Sequence, residues 1–536
     1  MSSRGLKDDW DFIVVGGGSA GSVVASRLSE NPKWKVLLLE AGGNPPIESE
    51  IPALLGSMQK TEFDWQFSGK SELASKANVN DTCRYAKGKM LGGTSSLNGM
   101  IYTRWGGKKE DYDHWAEMGN NGWDYDSVLP YFKKSEGNQY KPFVLYQNGK
   151  YHNGSGPMKI DFFGADGLDA KRKIFLDAAA ERGHPIIEDI NADKYLGYLN
   201  MQATYANGRR QSAATSFLNA AKDRKNLHVI KHAFVVKILI DDNNNAYGVK
   251  FTYKNKRKFK TTTRKEVIVS GGSFLSPHLL MNSGTGPKDH LQKLKIPVKA
   301  DIPVGQNLAD HQSVYIWFQF NPTETSPTAQ LDSLYQYVVH GTGPLTSRGV
   351  TNVNGFINTA NTTGPANIQV QVFYYTKNSD SLTSFASRYK DSIKQTLLKE
   401  ALTHDLAAVI ISNIHPKSRG VVELNHNSVH GKPIVDPLYF SNADDVEALL
   451  QAMKQQLSFE NTTSSNSHHY GSSRMGPTSD PTSVVDPRLK VKNIGKLRQI
   501  DAGVIPSLVS GNTYVATMMI AEKGSDFIKS DYGFIP

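Results

Sequence analysis

Cysteine is almost absent from this chain of 536 residues, in which Cys83 is the only one. One cysteine cannot form a disulfide within the chain or a metal site of several thiolates, and no metal site is predicted. Long apolar runs are also lacking. None reaches the roughly 20 residues that a membrane-spanning helix requires, so no membrane span is predicted. Residues 1–10 do not resemble a secretory signal peptide. The chain is expected to be cytoplasmic, or secreted if a leader was removed from it.

Basic residues outnumber acidic ones, and the net charge is +10. The densest basic run, residues 254–260, lies between two strand-like runs and is predicted to be a solvated hairpin. We therefore predict no nucleic-acid partner. Apolar residues make up 39% of the chain, which is typical of a globular protein. A length of 536 residues exceeds one ordinary hydrophobic core and predicts at least two domains.

A glycine-rich turn near the start of the chain is the clearest motif. It has the spacing Gly16-x-Gly18-x-x-Gly21 and follows an apolar run, while a second apolar run, residues 36–39, ends in Glu40. In dinucleotide-binding βαβ units the first glycine makes the tight turn and the second lets the backbone approach a pyrophosphate. The third lets the helix pack closely, and the acid binds ribose hydroxyls. The pattern predicts a dinucleotide site.

The remaining strand and helix signals fall into two groups. Residues 8–42 form a predicted β-α-β unit, and a helix with one apolar face is predicted over 514–528. Residues 312–440 contain strand-like runs without the crossover helices of a parallel sheet, which predicts an antiparallel sheet. The other predicted elements are a helix over 213–222 and strands over 227–241, 246–253, 267–270, 314–320, 368–375, 407–414 and 420–424.

Several further stretches resemble one family of FAD enzymes. Residues 88–98, Gly-Lys-Met-Leu-Gly-Gly-Thr-Ser-Ser-Leu-Asn, resemble the first signature of the glucose–methanol–choline (GMC) oxidoreductases, and residues 272–286 resemble the second. Shorter family-like stretches occur at 304–311, 416–420, 485–489 and 497–502. The resemblance covers nearly the whole chain and is strongest to the arthropod branch that includes glucose dehydrogenases and ecdysone oxidases. It implies an FAD-dependent enzyme that oxidises an alcohol.

This resemblance also implies a domain division. The fold class is α/β with an antiparallel sheet: a discontinuous Rossmann-like FAD-binding domain and a substrate-binding domain built on an antiparallel sheet with helices. The FAD-binding domain is expected to take residues 8–150, 205–310 and 468–536. The substrate-binding domain is expected to take residues 151–204 and 311–467.

The cofactor site carried over from the family is extensive. Some members bind FAD covalently through a histidine, but Leu97 stands at that position here, so the resemblance implies non-covalent FAD. The residues implied to contact FAD are Gly16, Gly18, Ser19, Ala20, Gly21, Glu40, Ala41, Gly92, Gly93, Thr94, Asn98, Gly99, Val235, Asp501, Ala502, Asn512 and Thr513.

Alcohol oxidation requires a base for the hydroxyl proton and an acceptor for the hydride, and the flavin supplies the acceptor. Histidine is the natural base near neutral pH. The resemblance assigns this role to His468, three residues before Gly471, with His469 as a competitor. Asn512 matches the family's second active-site position, where an amide can hold the substrate oxygen. It also precedes a predicted helix and could simply be its N-cap.

The sequence leaves the substrate and part of the chemistry open. The expected substrate is a sugar such as glucose or a steroid alcohol such as an ecdysteroid, and the electron acceptor is oxygen or another molecule. Only about twenty residues separate Val446 from His468, fewer than is usual in the family, and residues 459–467 are predicted to form a polar loop. The alternatives are therefore a flavin-binding member with weak or lost activity, and a cyanohydrin lyase.

Overall fold

Two large β-sheets organise the computed structural model, one of seven strands and one of six. Several short two-stranded sheets accompany them. The structure describes residues 10–70, 74–104, 109–164, 166–322, 330–359, 364–425, 429–456, 463–465 and 467–534.

The strands and helices follow each other along the chain in mixed order. The strands are β1 (Trp10–Val15), β2 (Val36–Leu39), β3 (Phe67–Lys70), β4 (Thr82–Tyr85), β5 (Glu136–Asn138), β6 (Met158–Ile160), β7 (Gly197–Asn200), β8 (Tyr205–Ala206), β9 (Arg209–Arg210), β10 (Leu227–Ile230), β11 (Ala233–Ile240), β12 (Ala246–Tyr253), β13 (Arg257–Val269), β14 (Gln312–Phe320), β15 (Val353–Ile357), β16 (Ile368–Tyr375), β17 (Asp405–Asn413), β18 (Val421–Glu423), β19 (Ile434–Asp436), β20 (Thr463–Ser465) and β21 (Leu497–Gln499). The α-helices are α1 (Ser19–Leu28), α2 (Glu110–Glu117), α3 (Tyr125–Ser135), α4 (Lys141–Leu145), α5 (Asp169–Glu181), α6 (Gly272–Asn282), α7 (Lys288–Lys293), α8 (Gln330–Tyr335), α9 (Asp380–Ala386), α10 (Asp391–Glu400), α11 (Ala443–Gln456) and α12 (Thr513–Asp531).

The seven-stranded sheet has the order β10-β2-β1-β13-β12-β11, with β21 also paired to β13. The pairs β10–β2, β2–β1, β1–β13 and β13–β21 are parallel, whereas β12 pairs antiparallel with both of its neighbours. Every residue of β1 and β2 is buried, as a parallel strand covered on both faces requires. The predicted β-α-β unit is confirmed, and the glycine turn lies at the carboxyl end of β1.

The six-stranded sheet has the order β20-β14-β17-β16-β15-β7 and is antiparallel throughout. Apolar side chains of α5 and α11 pack on one of its faces, including Ala179, Leu449 and Ala452. The predicted fold class, α/β with an antiparallel sheet, is therefore confirmed. The domain bounds themselves stay a prediction, although β7 joins this sheet from residues 197–200, within the segment assigned to the substrate-binding domain.

Some predicted elements differ from the observed ones. Residues 420–424 do not join the large antiparallel sheet, because β18 pairs only with β19 in a separate hairpin. The helix predicted over residues 213–222 is confirmed, with residues 214–218 in a π-helical turn and residues 219–221 in a 3₁₀ turn. Within the predicted polar loop 459–467, Thr463–Ser465 forms the edge strand β20, while residues 457–462 and 466 lie outside the described residues. Strands β7 and β15 were not predicted.

The C-terminal helix α12 is buried on nearly all sides, so the prediction of one apolar face was wrong. Of its 19 residues, 14 are buried, including polar ones. The helix packs against both α1 and α3, so two faces need burial instead of one. Its Glu522 side chain is fully buried and accepts a hydrogen bond from Arg27 Nε at 2.8 Å. Among helices in the described ranges, none combines the length and apolar character that a membrane crossing requires.

A buried ionic network ties β5 to Arg104 before it and to the segments that follow it. Arg104 and Glu136 form a fully buried salt bridge. His152 Nδ1 contacts Glu136 Oε1 at 2.7 Å, and His152 Nε2 contacts Asp189 Oδ2 at 2.8 Å. Burial by itself lowers the pKa of His152, but hydrogen bonds to Asp189 and Glu136 outweigh it and raise that pKa. Two acids thus contact the buried Arg104 and His152 side chains, which makes each member of the network dependent on the others.

Glu136→Gln should destabilise the protein strongly, because it leaves the buried Arg104 charge without its main partner. Removing one partner of a buried ion pair costs about 3–5 kcal/mol. The control is Lys173→Ala, which removes an exposed pair with Asp177 whose N–O distance is 2.6 Å and should cost at most about 0.5 kcal/mol. Urea unfolding followed by far-UV circular dichroism compares the two. Equal losses in both variants would contradict the assignment.

Candidate active site

A cavity of about 1370 Å³ lies between the two large sheets. Its wall includes residues at the carboxyl ends of β1 and β2, the start of β11, and the facing strands β14, β16 and β17. Ligands of open α/β sheets bind outside the carboxyl ends of the strands. Small-molecule pockets measure about 300–1,000 Å³, so this cavity is large enough for an extended dinucleotide together with a second ligand.

Most of the predicted cofactor residues meet in this one cavity, although they come from both ends of the chain. The exceptions are Gly21 and Gly92, which do not line it. The predicted residues in the wall are Gly16, Gly18, Ser19, Ala20, Glu40, Ala41, Gly93, Thr94, Asn98, Gly99, Val235, Asp501, Ala502, Asn512 and Thr513.

Gly21 and Gly92 serve the packing beneath the cavity wall. A Cβ atom at Gly21 would overlap the carbonyl oxygen of Gly16, so only glycine lets α1 approach the turn this closely. Gly92 has a φ of +83° and donates its N–H to the Gly17 carbonyl at 2.7 Å. These two residues therefore shape the cavity without reaching it.

The start of α1 is a suitable site for an anion. The N-cap residue Gly18 offers no side chain to the free N–H groups of the first turn, and that turn contains no acidic residue. Unpaired N–H groups and the helix dipole favour negative charge at such a position. A Cβ atom at Gly18 would meet only Gly93 Cα, at 3.9 Å, so the space beside Gly18 belongs to the cavity. These residues fit the pyrophosphate of FAD.

Glu40 is held in place by two backbone donors. Its Oε2 accepts from Gly17 N and its Oε1 accepts from Gly42 N, both at 2.7 Å. Burial raises the pKa of Glu40 to about 7, against the effect of these hydrogen bonds. Glu40 also lines the cavity, where its carboxylate can accept hydrogen bonds from ribose hydroxyls. The orientation of Glu40 is thus set before any ligand binds.

His468 and Asn512 are in direct contact within the cavity. Asn512 Nδ2 lies 2.9 Å from His468 Nε2, and Gln369 Nε2 lies 3.5 Å from Asn512 Oδ1. With Gln369 donating to the amide oxygen, the amide N–H₂ donates to the imidazole, so His468 Nε2 is an unprotonated acceptor. Asn512 occupies the N-cap position of α12, but its side chain makes no capping hydrogen bond.

His311 contacts the opposite nitrogen of His468. The two Nδ1 atoms are 2.8 Å apart, and the backbone N–H of His468 donates to Asp310 Oδ1 at 2.6 Å. With Nε2 as the acceptor, the single proton of the His468 ring resides on Nδ1 and is donated to His311. These contacts fix both the ring orientation and the tautomer.

His469 lies in a different environment. Only 1% of its surface is exposed, and its ring packs edge-on against Tyr85 and Phe274, with centroid distances of 4.5 Å and 4.7 Å. Its Nε2 lies 3.5 Å from Asp310 Oδ2. The neighbouring imidazoles are thus distinguished by the fold: His468 contacts a polar partner across the cavity, and His469 fills an aromatic slot.

Lys87 is a cavity residue that the sequence analysis missed. Its Nζ donates to the Ser467 carbonyl at 3.0 Å and lies 5.1 Å from the ring centroid of Phe274. Burial lowers the pKa of Lys87 to about 8. Burial and the charge of Lys87 together lower the pKa of His468 to about 3, so His468 is neutral at physiological pH. The only available signal was the lysine's position one residue before the first signature.

Asp501 lines the cavity, but its carboxylate is occupied by the protein. Its Oδ1 accepts from Gly503 N at 2.8 Å and Gln499 Nε2 at 3.0 Å. Its Oδ2 accepts from Gly272 N at 3.0 Å and from the Ser276 hydroxyl. Asp501 therefore joins the start of α6 to the segment after β21. These hydrogen bonds also hold the neighbouring Ala502 in the cavity wall.

A dinucleotide cradle that shares its cavity with a neutral, oriented imidazole defines a nucleotide-dependent oxidoreductase. Two family models, both described as GMC oxidoreductase, match the chain over residues 10–313 and 416–521. The chain belongs to the GMC oxidoreductase family. It is a flavin enzyme that acts on alcohols, and its cofactor is FAD.

Individual relatives agree with this assignment. Glucose dehydrogenase (FAD, quinone) of Drosophila melanogaster is 33% identical over 568 residues, which cover 98% of this chain and 87% of that protein. Ecdysone oxidase of Spodoptera littoralis is 32% identical over 566 residues, covering 98% of this chain and 92% of that protein. A solved structure of formate oxidase from Aspergillus oryzae RIB40 has the same fold, with a TM-score of 0.86 and 24% identity, covering 98% of this chain and 99% of that chain.

Gly18→Ala should impair FAD binding, whereas Gly21→Ala should impair the stability of the fold. At Gly18 the backbone is extended, with a φ of −76°, and a methyl group fits the protein but occupies the pyrophosphate space. Gly18→Ala should therefore leave the melting temperature of the apoprotein unchanged while weakening FAD binding at least about tenfold. Gly21→Ala should lower the melting temperature itself, because the methyl group overlaps Gly16.

Thermal unfolding of the apoproteins and FAD titration followed by flavin fluorescence measure these two effects. A Gly18→Ala protein with normal FAD affinity would contradict the placement of the pyrophosphate at this turn.

Proposed function

We propose that this enzyme oxidises its alcohol substrate with His468 as the base and Asn512 as the group that holds the substrate oxygen. The observation that carries the proposal is the contact of 2.9 Å between Asn512 Nδ2 and the unprotonated Nε2 of His468. A hydroxyl placed beside these two atoms can donate its proton to Nε2 while it accepts a hydrogen bond from the amide.

The residues around this pair support the direction of proton transfer. His468 starts the reaction neutral, so it can take up one proton at Nε2. The Nδ1 proton stays with the hydrogen bond to His311, where the Nδ1–Nδ1 distance is 2.8 Å. FAD, when bound, supplies the chemistry of hydride acceptance. The base and the oxygen-binding amide thus come from the protein, and the redox chemistry comes from the cofactor.

The N-terminus of α12 contributes a positive potential to the same region. Asn512 and Thr513 line the cavity, and no side chain caps the free N–H groups there. A helix of 19 residues presents roughly half a positive charge at its start. Negative charge that develops in the cavity during the reaction is stabilised by this potential.

FAD is expected to bind without a covalent bond. Leu97 lines the cavity and is 4% exposed, and its side chain has no nucleophilic atom. We propose that the contacts of residues 16–20, Glu40 and residues 93–99 hold the cofactor. We also propose that the FAD-binding domain consists of residues 8–150, 205–310 and 468–536.

The substrate class follows from the relatives and from the cavity wall. The names of two relatives, glucose dehydrogenase and ecdysone oxidase, refer to a sugar and a steroid alcohol. In this chain, Phe373, Tyr374 and Tyr375 of β16 line the cavity beside polar groups. We propose a sugar or steroid alcohol, with oxygen or another acceptor such as a quinone to reoxidise the cofactor.

The short segment before His468 does not by itself argue for a loss of activity. Strand β20 pairs with β14 three to five residues before His468, and the His468–Asn512 contact is in place. An active oxidoreductase is therefore favoured over an inactive flavin-binding member. Anaerobic bleaching of the flavin by an alcohol tests this choice, whereas cyanide release from a cyanohydrin without bleaching indicates a lyase.

His468→Ala should reduce the rate of anaerobic flavin reduction by about 10²–10⁴-fold, the usual contribution of a general base. His469→Ala should reduce it by less than about tenfold, because that ring packs between Tyr85 and Phe274. Stopped-flow absorbance at saturating substrate measures both rates, and flavin content and circular dichroism control for folding. The assignment is wrong if His469→Ala loses the activity and His468→Ala keeps it.

A plot of kcat/KM against pH should not show the loss of activity that protonation of an ordinary histidine would cause. A base acts only when unprotonated, and since the pKa of His468 is lowered to about 3, the activity should persist well below the ordinary histidine value of 6.5. Lys87→Gln removes one cause of the lowering, so the acid limb should move to higher pH in that variant. Burial, the larger cause, remains. An acid limb near 6.5 in the wild type would contradict this electrostatic picture.

A further inference from the structure

Two guanidinium groups hold neighbouring carbonyls of the loop that borders the cofactor space. Arg210 Nη1 donates to the carbonyl oxygen of Asn98 at 2.7 Å. Arg348 Nη1 donates to the carbonyl of Gly99, and its Nη2 donates to Thr351 O at 2.9 Å. A Cβ atom at position 99 would overlap Arg348 Nη1, so glycine is what allows this approach. Arg348 lines the cavity together with His468 and Asn512, whereas Arg210 does not line it.

Arg348, like Arg210, lacks the acid partner that several other arginines inside the protein have. Arg104 pairs with Glu136, Arg172 with Asp166, and Arg498 with Glu266. No carboxylate of the described residues lies within 4.0 Å of the Arg348 guanidinium, which is absent from the ion pairs of that part of the chain. Its Nε is buried without a hydrogen-bond partner. Of five N–H donors, two are used by the protein.

The charge of Arg348 is therefore poorly compensated. Burial lowers its pKa to about 9, and the nearby charge of Arg210 acts in the same direction. Because a guanidinium keeps its proton in proteins and no described carboxylate forms an ion pair with it, the charged group has no anionic partner in the described part of the protein. An uncompensated buried cation is costly, and a ligand bound in the cavity is the remaining source of negative charge.

A second group of cations lines the outer part of the cavity. We call Lys60, Arg84 and Arg388 the outer cluster. Lys60 and Arg84 are exposed, and no described carboxylate lies within ion-pair distance of any of the three. Burial and the charges of Arg84 and Arg388 lower the pKa of Lys60. Like charges gathered at the solvent side of a cleft attract anions toward it.

Four acids line the cavity, Glu40, Asp64, Asp380 and Asp501, and none of them forms an ion pair with these cations among the described residues. Asp380 is exposed in the first turn of α9, and the other three are held by donors of the wall. Glu40 and Asp501 are bound by the donors described above. Asp64 accepts from the backbone N–H groups of Lys60 at 3.1 Å, Gln66 at 3.0 Å and Lys87 at 3.0 Å. The charges of these three acids are therefore directed at donors of the wall.

We propose that the sugar or steroid alcohol oxidised by this enzyme is one that carries an anionic group, a carboxylate or a phosphate, which pairs with Arg348 while its hydroxyl is held by His468 and Asn512. The outer cluster attracts this anion into the cavity. The inference rests on the proposed function for the reacting hydroxyl, but the anion site can be tested without turnover. Arg348 is then a specificity-determining residue, and Arg210 supports the loop that positions it.

Binding to the oxidised holoenzyme is the first test. Benzoate and benzamide have the same shape and differ in charge, and each is titrated while the flavin spectrum is recorded. Benzoate should bind at least about tenfold more tightly than benzamide. Arg348→Met should abolish this preference, Arg348→Lys should keep part of it, and the exposed control Arg182→Gln should leave it unchanged.

Turnover is the second test. The pair is 4-(hydroxymethyl)benzoate and its methyl ester, which share the reacting alcohol. The acid should reduce the flavin anaerobically with at least about tenfold higher kcat/KM than the ester, and Arg348→Met should remove the difference. For the acid, kcat/KM should decrease when the salt concentration is raised from about 0.05 M to about 0.5 M. This decrease should be smaller in the Arg84→Gln, Arg388→Gln double variant.

The outcomes separate the two proposals. Preferential benzoate binding that depends on Arg348, without bleaching by either alcohol, supports the anion site and contradicts the proposed function. Equal binding of benzoate and benzamide, or an ester that reacts as well as the acid, overturns the anion site. If Arg348→Met and Arg348→Lys instead lose FAD and leave benzoate binding to the residual holoenzyme unchanged, the guanidinium serves the cofactor and the inference is wrong.

Discussion

The close approach of backbone segments around one glycine turn is the constraint on which this structure depends. The Gly16–Gly21 turn contacts three other segments: Ser270 O would lie 2.5 Å from a Cβ at Gly16, Glu40 accepts from Gly17 N at 2.7 Å, and Gly92 donates to Gly17 O at 2.7 Å. Segments from β2, β13 and the loop after β4 thus converge on the end of β1. No side chain fits between them, which leaves free N–H groups facing the cavity.

The electrostatics of the cavity follow from this packing. Backbone donors of the wall hold Glu40, Asp64 and Asp501, so the charges of these three acids are partly offset by the fold itself. Burial keeps His468 neutral and leaves Arg348 and Lys87 without full compensation. The result is a cavity with a neutral imidazole and a surplus of positive potential, which suits an anionic cofactor and the negative charge that develops during alcohol oxidation.

Strong local patterns allowed much of the fold to be predicted. The apolar runs of β1 and β2 are buried on both faces, and the glycine spacing is dictated by a steric rule that holds wherever such a turn forms. Prediction from the sequence failed where the structure of a segment depends on which distant segment packs or pairs with it. Residues 420–424 have a strand pattern but pair with β19 outside the large sheet. The helix α12 is buried on two faces because α1 and α3 both pack on it, and periodicity alone cannot reveal a second neighbour.

For the site, the order of residues along the chain already contained the glycines of the turn, the acid after β2, and two adjacent histidines toward the C-terminus. The tertiary structure gives those histidines different surroundings, because only folding brings Asn512 to His468 and the rings of Tyr85 and Phe274 to His469. It also brought Lys87 and Arg348 into the cavity. Contacts between residues hundreds of positions apart, and the burial that shifts their charges, arise from packing and leave no periodic or local signal in the chain.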